Sequence, residues 1–321
     1  MITQGKYEII HTAIHKNGNC LSIARLCKLA GVSRSGYYAW ESAAPVREER
    51  EETDRRDFEE ILKAYKFRGY AKGARSIYMR LLHVGPRMNL KKIRRLMQKY
   101  GLKCPYRGPN PYRQMAKAIK TDSVFPNVVK REFTKAGVRR VLLTDITYVF
   151  YKGGVCYLST ILDAYTHEIL AYELSTNLMV EFVLKTIDEL VKVHGSSLDD
   201  TTIVHSDQGC HYTSRAFIQK LKDSQFVQSM SRKENCWDNA PQESFFGHMK
   251  DEVRYEIAQL KRFDEVKARI DDWIDYYNND RYQWNLAKLS PKEFYQYTVT
   301  GIYPLTAQNC SPWGSAPDPE V

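Results

Sequence analysis

The sequence has no long apolar run. None of its segments reaches the roughly 18 consecutive apolar residues that a membrane-spanning helix needs. The opening residues, MITQGKYEIIHTAIHKNG, also lack the apolar stretch of a secretory signal. We therefore expect a cytoplasmic protein, and its length of 321 residues suits two or three domains.

Cysteines are few and scattered. The seven cysteines are odd in number and include no Cys-x-x-Cys pair, which favours reduced thiols over a disulfide framework. One grouping resembles a zinc site, because His11 and His15 are followed by Cys20 and Cys27. Six residues separate those cysteines, more than the roughly two to four of zinc sites, and Cys27 occupies an apolar helix position. The sequence does not favour zinc here.

Acidic residues are missing from one long stretch. Residues 61–121 contain 17 Lys and Arg and no Asp or Glu. Residues 1–140 hold 31 basic against 12 acidic residues, whereas residues 141–321 hold 17 against 26. Binding to phosphates releases condensed counterions, so the basic part predicts strong, salt-sensitive DNA binding. A solvated charged surface is the weaker alternative.

A helix-turn-helix pattern lies near the start of the chain. Residues 22–30 are typical of a capped helix, residues 31–33 of a tight turn, and residues 34–40 of a second short helix. The second helix would enter the major groove, with Arg34 and Ser35 able to reach bases or phosphates. The alternative is an ordinary helical hairpin.

A second basic helical pair follows. The mixed-charge segment 47–52 leads into a helix, and residues 73–82 and 89–97 predict two more helices around Gly85-Pro86. Helical spacing directs one set of residues inward: Leu90, Ile93, Leu96 and Met97. It directs a basic set outward: Lys91, Lys92, Arg94 and Arg95. We predict a second DNA-binding unit, which reads bases or only phosphates.

Residues 105–138 have the character of a linker. Four prolines fall at positions 105, 109, 111 and 126, with few periodic apolar residues. Basic residues are interleaved among them: Arg107, Arg113 and Lys117. We therefore expect a linker that lies along DNA.

From about residue 139 the pattern becomes that of an α/β domain. Strands are predicted near 140–150, 154–163, 167–175, 201–205 and 226–229, and helices near 179–194, 213–222, 240–253 and 263–279. In the last helix we expect aromatic and aliphatic residues to pack against the core: Trp273, Ile274, Tyr276 and Tyr277.

Two aspartates lie where a metal ion could bind. Asp145 interrupts a strand of β-branched and aromatic residues, and a buried carboxylate needs a partner or a metal. Pairing with an Arg or Lys is the alternative. Asp207 follows the strand 201–205, and strand ends are where ligand-binding residues collect. Its alternative is an Asx turn before Gly209. We expect His205 to be structural, since magnesium prefers oxygen donors.

A third carboxylate, Glu243, lies on a helix that Asp238-Asn239-Ala240-Pro241 is expected to start. Glu243 and Lys250 are seven residues apart, and two helical turns place them on one side. Such a helix could present a carboxylate to a metal and a lysine to DNA phosphate. A solvated charged stripe is the alternative.

The motifs TDITY, HSDQGCHYTS, SRKENCWDNAPQESFFGHMKDE and YYNNDRYQWNLAKLSP resemble the catalytic region of DDE transposases of the third insertion-sequence family, IS150-like group, relatives of retroviral integrases. They span about residues 141–294. Further similarity runs through GYAKGARSIYMRLL, NLKKIRRLMQKYGL and PYRQMAKA. The chain departs from the family pattern at Glu234, where a small residue is expected.

The resemblance implies a ribonuclease H-like core, with a mixed five-stranded sheet and helices on both faces. It implies that Asp145, Asp207 and Glu243 are the catalytic, metal-binding triad, holding two Mg²⁺ ions for which Mn²⁺ can substitute. Lys250, Arg232 and Lys233 are then phosphate contacts.

The implied activity is 3′-end cleavage and strand transfer on double-stranded DNA, namely terminal inverted repeats and target, through a circular intermediate. A bacterial, nucleoid-associated protein that is at least a dimer on DNA is expected, acting alone or fused to an upstream-frame product. A nuclease or resolvase without joining activity and a DNA-binding regulator of transposition remain the alternatives.

Five regions are therefore predicted: a helix-turn-helix domain at 1–45, a second helical domain at 46–104, a linker at 105–138, the catalytic core at 139–298, and a tail at 299–321.

Overall fold

A computed structural model of the chain describes residues 3–16, 19–70, 72–105, 137–231 and 240–305. The chain forms two compact units, Met1–Lys63 and Ala64–Val321. The division falls inside the helix Ala44–Lys66, whereas the sequence placed a boundary between residues 45 and 46. The predicted domain boundaries therefore stay predictions.

The first unit contains the predicted helix-turn-helix. Its helices are α1 (Thr3–Ile14), α2 (Ile23–Ala30), α3 (Arg34–Ser42) and most of α4 (Ala44–Lys66). Ser22 and Ser33 cap α2 and α3 with side-chain oxygens that accept a backbone N–H of the first turn. Gly31 ends α2 in the left-handed region, with φ of 63°. The helix α1 was not predicted.

A small apolar cluster holds these helices together. Ile10, Cys27 and Tyr37 are buried in it, one from each of α1, α2 and α3. The apolar position predicted for Cys27 is thereby confirmed.

The second unit begins with the predicted basic helical pair, α5 (Ala74–Val84) and α6 (Leu90–Lys99). The Asn89 side chain caps α6 by accepting the Lys91 N–H at 2.8 Å. Ile93 and Leu96 are fully buried, as expected. Of the residues predicted to face outward, Lys91, Arg94 and Arg95 are exposed and Lys92 is half-buried.

A mixed five-stranded sheet forms the centre of this unit. Its strands are β1 (Val141–Tyr151), β2 (Gly154–Asp163), β3 (Ile169–Ser175), β4 (Ile203–Ser206) and β5 (Val227–Met230), in the order β3-β2-β1-β4-β5. The first three strands are antiparallel neighbours, and β4 and β5 run parallel to β1. This is the predicted ribonuclease H-like sheet.

Helices cover both faces of the sheet. They are α7 (Val180–His194), α8 (Arg215–Asp223), α9 (Ala240–Ile257) and α10 (Phe263–Asn279), and a further helix, α11 (Pro291–Thr300), packs against α10. Leu143 of β1 lies in the apolar core under α9 and α10, and its neighbour Leu142 lies in the core under α7 and α8. Successive side chains of a strand point to opposite faces of the sheet, and β1 therefore contributes residues to both cores. Trp273 is fully buried under α10, as predicted.

Helix α11 was not predicted, although its signal is in the sequence. Ser290 and Glu293 form a capping box around Pro291 at the first position. Within the described residues, no helix combines the length and the apolar character that a membrane crossing demands.

Candidate active site

Asp145 and Asp207 lie side by side at one end of the sheet. β1 and β4 are parallel neighbours in which Leu143 pairs with His205. Each aspartate comes two residues later along its own chain, and the charge of Asp207 acts on the Asp145 carboxyl. β4 ends at Ser206, so among the described residues no strand covers that edge of β1 from Asp145 onward. The sheet thus brings together two carboxylates that are distant in sequence and leaves the edge beside them open.

Asp145 carries a strongly perturbed carboxyl. Burial first, and then the negative charge of Asp207, raise its pKa to about 7. The Ile146 N–H, which donates to Oδ1 at 2.7 Å, lowers the pKa, while the charge of Glu243 raises it and that of Lys250 lowers it. The effect of Lys250 is in the direction that the alternative, pairing of Asp145 with a basic residue, predicts. Three negative charges converge here, and a cation among them would favour their ionised forms.

Asp207 forms the Asx turn that the sequence offered as an alternative. The Gly209 N–H donates to Asp207 Oδ1 at 2.8 Å. A Cβ at position 209 would lie 2.9 Å from that oxygen, closer than side chains normally approach. The turn is compatible with metal binding, because it fixes the carboxylate at the strand end and engages only one of its oxygens.

Glu243 reaches the site on the first turn of α9. The side chain of its neighbour, Gln242, is fully buried and donates to the Thr160 hydroxyl. Thr160 is the β2 residue that pairs with Asp145. Side chains of a directly paired cross-strand pair project from the same face, so this hydrogen bond fixes the start of α9 on the face of the sheet that carries Asp145. Glu243 is exposed, yet partial burial of its carboxyl raises the pKa.

The rest of α9 agrees with its predicted faces. Phe246, Met249 and Val253 are buried against the sheet. Lys250 is on the side of Glu243: burial lowers its pKa, and the charge of Asp145 acts in the opposite direction. The predicted pairing of a carboxylate and a lysine on one side of this helix is consistent with these interactions.

The three carboxylates do not form a closed metal cage. Across residues 3–16, 19–70, 72–105, 137–231 and 240–305, no group of three or more His, Cys, Asp or Glu is arranged to hold a metal ion by itself. Magnesium commonly binds through one or two carboxylates, with waters and substrate phosphates completing its octahedron. The adjacent aspartates fit that requirement, since they supply hard oxygen donors and an excess of negative charge.

Sequence reasoning missed the side chains that support the site. Tyr212 is buried, and its hydroxyl lies 3.4 Å from the Thr144 hydroxyl, one residue before Asp145. Burial raises the Tyr212 pKa, and the charge of Asp145 adds to this. Gln242 was likewise missed, because its partner is 82 residues away. His205 is buried and its Nδ1 lies 3.0 Å from the Ser229 hydroxyl, which agrees with the structural role expected of it.

The predicted DNA contacts divide into those the structure describes and those it does not. Arg34 and Ser35 are exposed at the start of α3. The α6 set projects from one helix: Lys91, Lys92, Arg94 and Arg95. The remaining predicted contacts, together with Glu234, lie outside the described residues: Arg107, Arg113, Lys117, Arg232 and Lys233.

The four residues that resemble a zinc site in the sequence lie in different environments. Cys27 is buried whereas Cys20 is exposed. His11 Nδ1 lies 3.3 Å from the Tyr37 hydroxyl, and His15 Nδ1 donates to the His11 carbonyl at 2.8 Å. Each histidine thus has a contact within the helical bundle.

Three segments match known family models. Residues 136–236 match an integrase core domain, residues 243–299 match a second integrase core domain model, and residues 52–110 match an HTH-like domain. The first two matches contain Asp145, Asp207 and Glu243, and the third contains α5 and α6.

Relatives from insertion sequences extend the similarity over most of the chain. The protein InsK of element IS150 from Escherichia coli K12 is 32% identical over 226 residues, covering 70% of this chain and 78% of the relative. An uncharacterized transposase-like protein of Haemophilus influenzae is 34% identical over 209 residues, covering 65% of this chain and 93% of the relative. The transposase for element IS904 of Lactococcus lactis is 31% identical over 228 residues, covering 70% and 87%.

Proposed function

This chain belongs to the insertion-sequence transposases with an integrase core, and from that premise we propose that it cleaves the 3′ ends of its element and joins them to DNA by a DDE mechanism. Asp145, Asp207 and Glu243 are the proposed catalytic residues. The substrates are double-stranded DNA, both the element's terminal inverted repeats and the target.

The observation that carries the proposal is the convergence of the three carboxylates. Parallel pairing of β1 with β4 supports the adjacency of Asp145 and Asp207. The Gln242–Thr160 hydrogen bond supports the placement of Glu243 beside them. The pKa of Asp145 is raised first by burial and then by the negative charges of Asp207 and Glu243, which agrees with this convergence.

We propose that the carboxylates hold two Mg²⁺ ions, or Mn²⁺ in their place. The ions supply charge stabilisation and orientation for an in-line phosphoryl transfer. Asp145 and Asp207 would fix the position of the reacting phosphate from the sheet end, and Glu243 would do so from α9. Lys250 would neutralise a neighbouring DNA phosphate. The protein's part is mostly positioning, because phosphoryl transfer needs little covalent chemistry from side chains.

The basic helical elements are the proposed source of DNA selection. Arg34 and Ser35 would contact the groove from α3, and the α6 residues Lys91, Lys92, Arg94 and Arg95 would contact a second segment. Joining two element ends requires both to be held, so we propose at least a dimer on DNA. This scheme is compatible with a transposase that acts alone and with one that is fused to an upstream-frame product.

The test is a cleavage and joining assay with labelled duplexes that carry the element's terminal repeats, in Mg²⁺. Asp145→Asn and Glu243→Gln should each abolish cleavage and joining while leaving gel shifts of the same ends intact. Glu189→Gln, on the exposed side of α7 and paired with Lys192, is the matched control and should be fully active. Full strand transfer by either triad variant would refute the assignment. For the unaltered protein, cuts without joined products would indicate a nuclease, and shifts alone would indicate a regulator.

A further inference from the structure

A cavity of about 360 Å³ lies between the start of α5, α6, and the α9 and α10 side of the core unit. Its wall carries more cations than carboxylates. The five cations are Lys72, Arg75, Arg80, Arg94 and Arg281, and the three carboxylates are Asp251, Glu252 and Asp280.

Two of those carboxylates are already neutralised inside the protein. Arg80 donates to Asp280 at 3.1 Å, and Arg281 donates to Glu252 at 3.0 Å. In the part of the chain that the structure describes, Arg75 and Arg94 have no ion pair within 4.0 Å. The cavity therefore presents two guanidinium groups outside these ion pairs, against one remaining carboxylate, Asp251.

Arg75, which lines this cavity, also lies near an exposed tryptophan. Its guanidinium carbon lies 5.6 Å from the centre of the Trp284 ring, and Lys288 Nζ lies 5.5 Å from the same ring. Tyr78 of α5 contacts the ring at 6.1 Å. Trp284 is nonetheless 47% exposed, so part of its ring is accessible to a partner.

The loop that carries Trp284 and Lys288 is firmly held. Lys288 adopts a left-handed φ of 65°, and its N–H donates to the Gln283 carbonyl at 3.1 Å. Leu286 and Leu289 are buried on either side of it. The tryptophan and its flanking cations are thus displayed on a fixed backbone, which lowers the entropy lost when a partner binds.

We propose that Arg75, Trp284 and Lys288 form a DNA-backbone contact surface that continues, through the cavity shared with Arg94, the basic side of α6. The inference rests on the proposed function and adds three contact residues from two segments that are distant in sequence. Cations that flank an exposed aromatic ring suit phosphates together with a sugar or base face. An acidic protein surface, such as that of a second copy of the chain, would satisfy the cations and the ring as well, but continuity with the basic side of α6 favours DNA.

The test is DNA binding by the full chain without divalent metal, so that its outcome does not depend on cleavage. Arg75→Gln, Lys288→Gln and Trp284→Ala are compared with Lys192→Gln, which removes one exposed charge from α7. The probe is a fluorescein-labelled random duplex of about 40 base pairs, titrated between about 50 and 200 mM salt.

Each cation variant should weaken binding by roughly fivefold to tenfold near 0.1 M salt and reduce the salt slope by about 0.9. Trp284→Ala should weaken binding by about tenfold with an unchanged slope, because stacking does not release counterions. Trp284→Phe should restore most of that loss, which separates a ring contact from damage to the loop.

Binding equal to that of Lys192→Gln in all three variants would overturn the proposal. Unchanged DNA binding with loss of oligomer by light scattering would also overturn it, by assigning the surface to a protein contact. Neither result touches the triad, which the cleavage assay tests separately.

Discussion

Gly209→Ala should reduce catalysis while sparing the fold. The new Cβ would lie 2.9 Å from Asp207 Oδ1, and ordinary contacts begin near 3.4 Å, so the carboxylate must move by about 0.5 Å. A displacement of about 1 Å at a reacting group can cost about 100-fold in rate, so half of that predicts about tenfold.

The stability change should be small because two effects oppose each other. Weakening the hydrogen bond from the Gly209 N–H to Asp207 costs about 0.5–1.5 kcal/mol. Replacing Gly by Ala returns about 0.4–1 kcal/mol by restricting the unfolded chain. A net change within about 1 kcal/mol corresponds to a Tm shift of only about 2–4 °C.

Strand transfer on labelled ends and thermal melting are the two measurements. Gly247→Ala is the matched control, because a Cβ there meets nothing within 4 Å and position 247 lies inside α9, one turn after Glu243. The control should keep full activity. Equal activity in the two variants would refute the idea that the turn at Gly209 sets the Asp207 carboxylate. A Tm loss much larger than in the control would show damage to the fold instead.

The remaining predictions concern supports of the site and the pH range. Gln242→Met should cost about 1–3 kcal/mol because the buried Thr160 hydroxyl loses its partner, and adding Thr160→Val should recover most of it in urea unfolding. An equal loss in the double variant would contradict this. For Glu293, burial raises the pKa, but hydrogen bonds from His83 and Ser290 outweigh it and lower the net value. The Glu293 carboxylate should therefore contribute to the free energy of unfolding above a pH of about 4.3, and this contribution should be lost as the pH falls through the lower pKa of the folded state. Glu293→Gln should accordingly destabilise the protein at neutral pH and make little difference near a pH of about 2. A constant difference in stability across that range would contradict this prediction. Chelation with EDTA should stop cleavage and joining but not gel shifts, and activity in EDTA would argue against the metal site.

Local sequence patterns predicted most of the secondary structure correctly. Ser22 caps the helix that was predicted to be capped, and Ser33 and Asn89 cap the next two predicted helices in the same way, because a cap needs only contacts within one turn. The β-branched strand around Asp145 and the helix at 263–279 were also found at their predicted places. In contrast, α1 and α11 were missed, although Ser290 begins a recognisable capping box.

The sequence by itself determined which elements form, which side of each is apolar, and which carboxylates carry the family's motifs. Those properties follow from neighbours along the chain and from helical or strand periodicity. Only the tertiary structure decided that Asp145 lies beside Asp207, that Gln242 ties α9 to Thr160, and that Trp284 meets Arg75. Each of these contacts joins segments that are tens to hundreds of residues apart. Strand pairing and helix packing select such partners, and no local pattern specifies them.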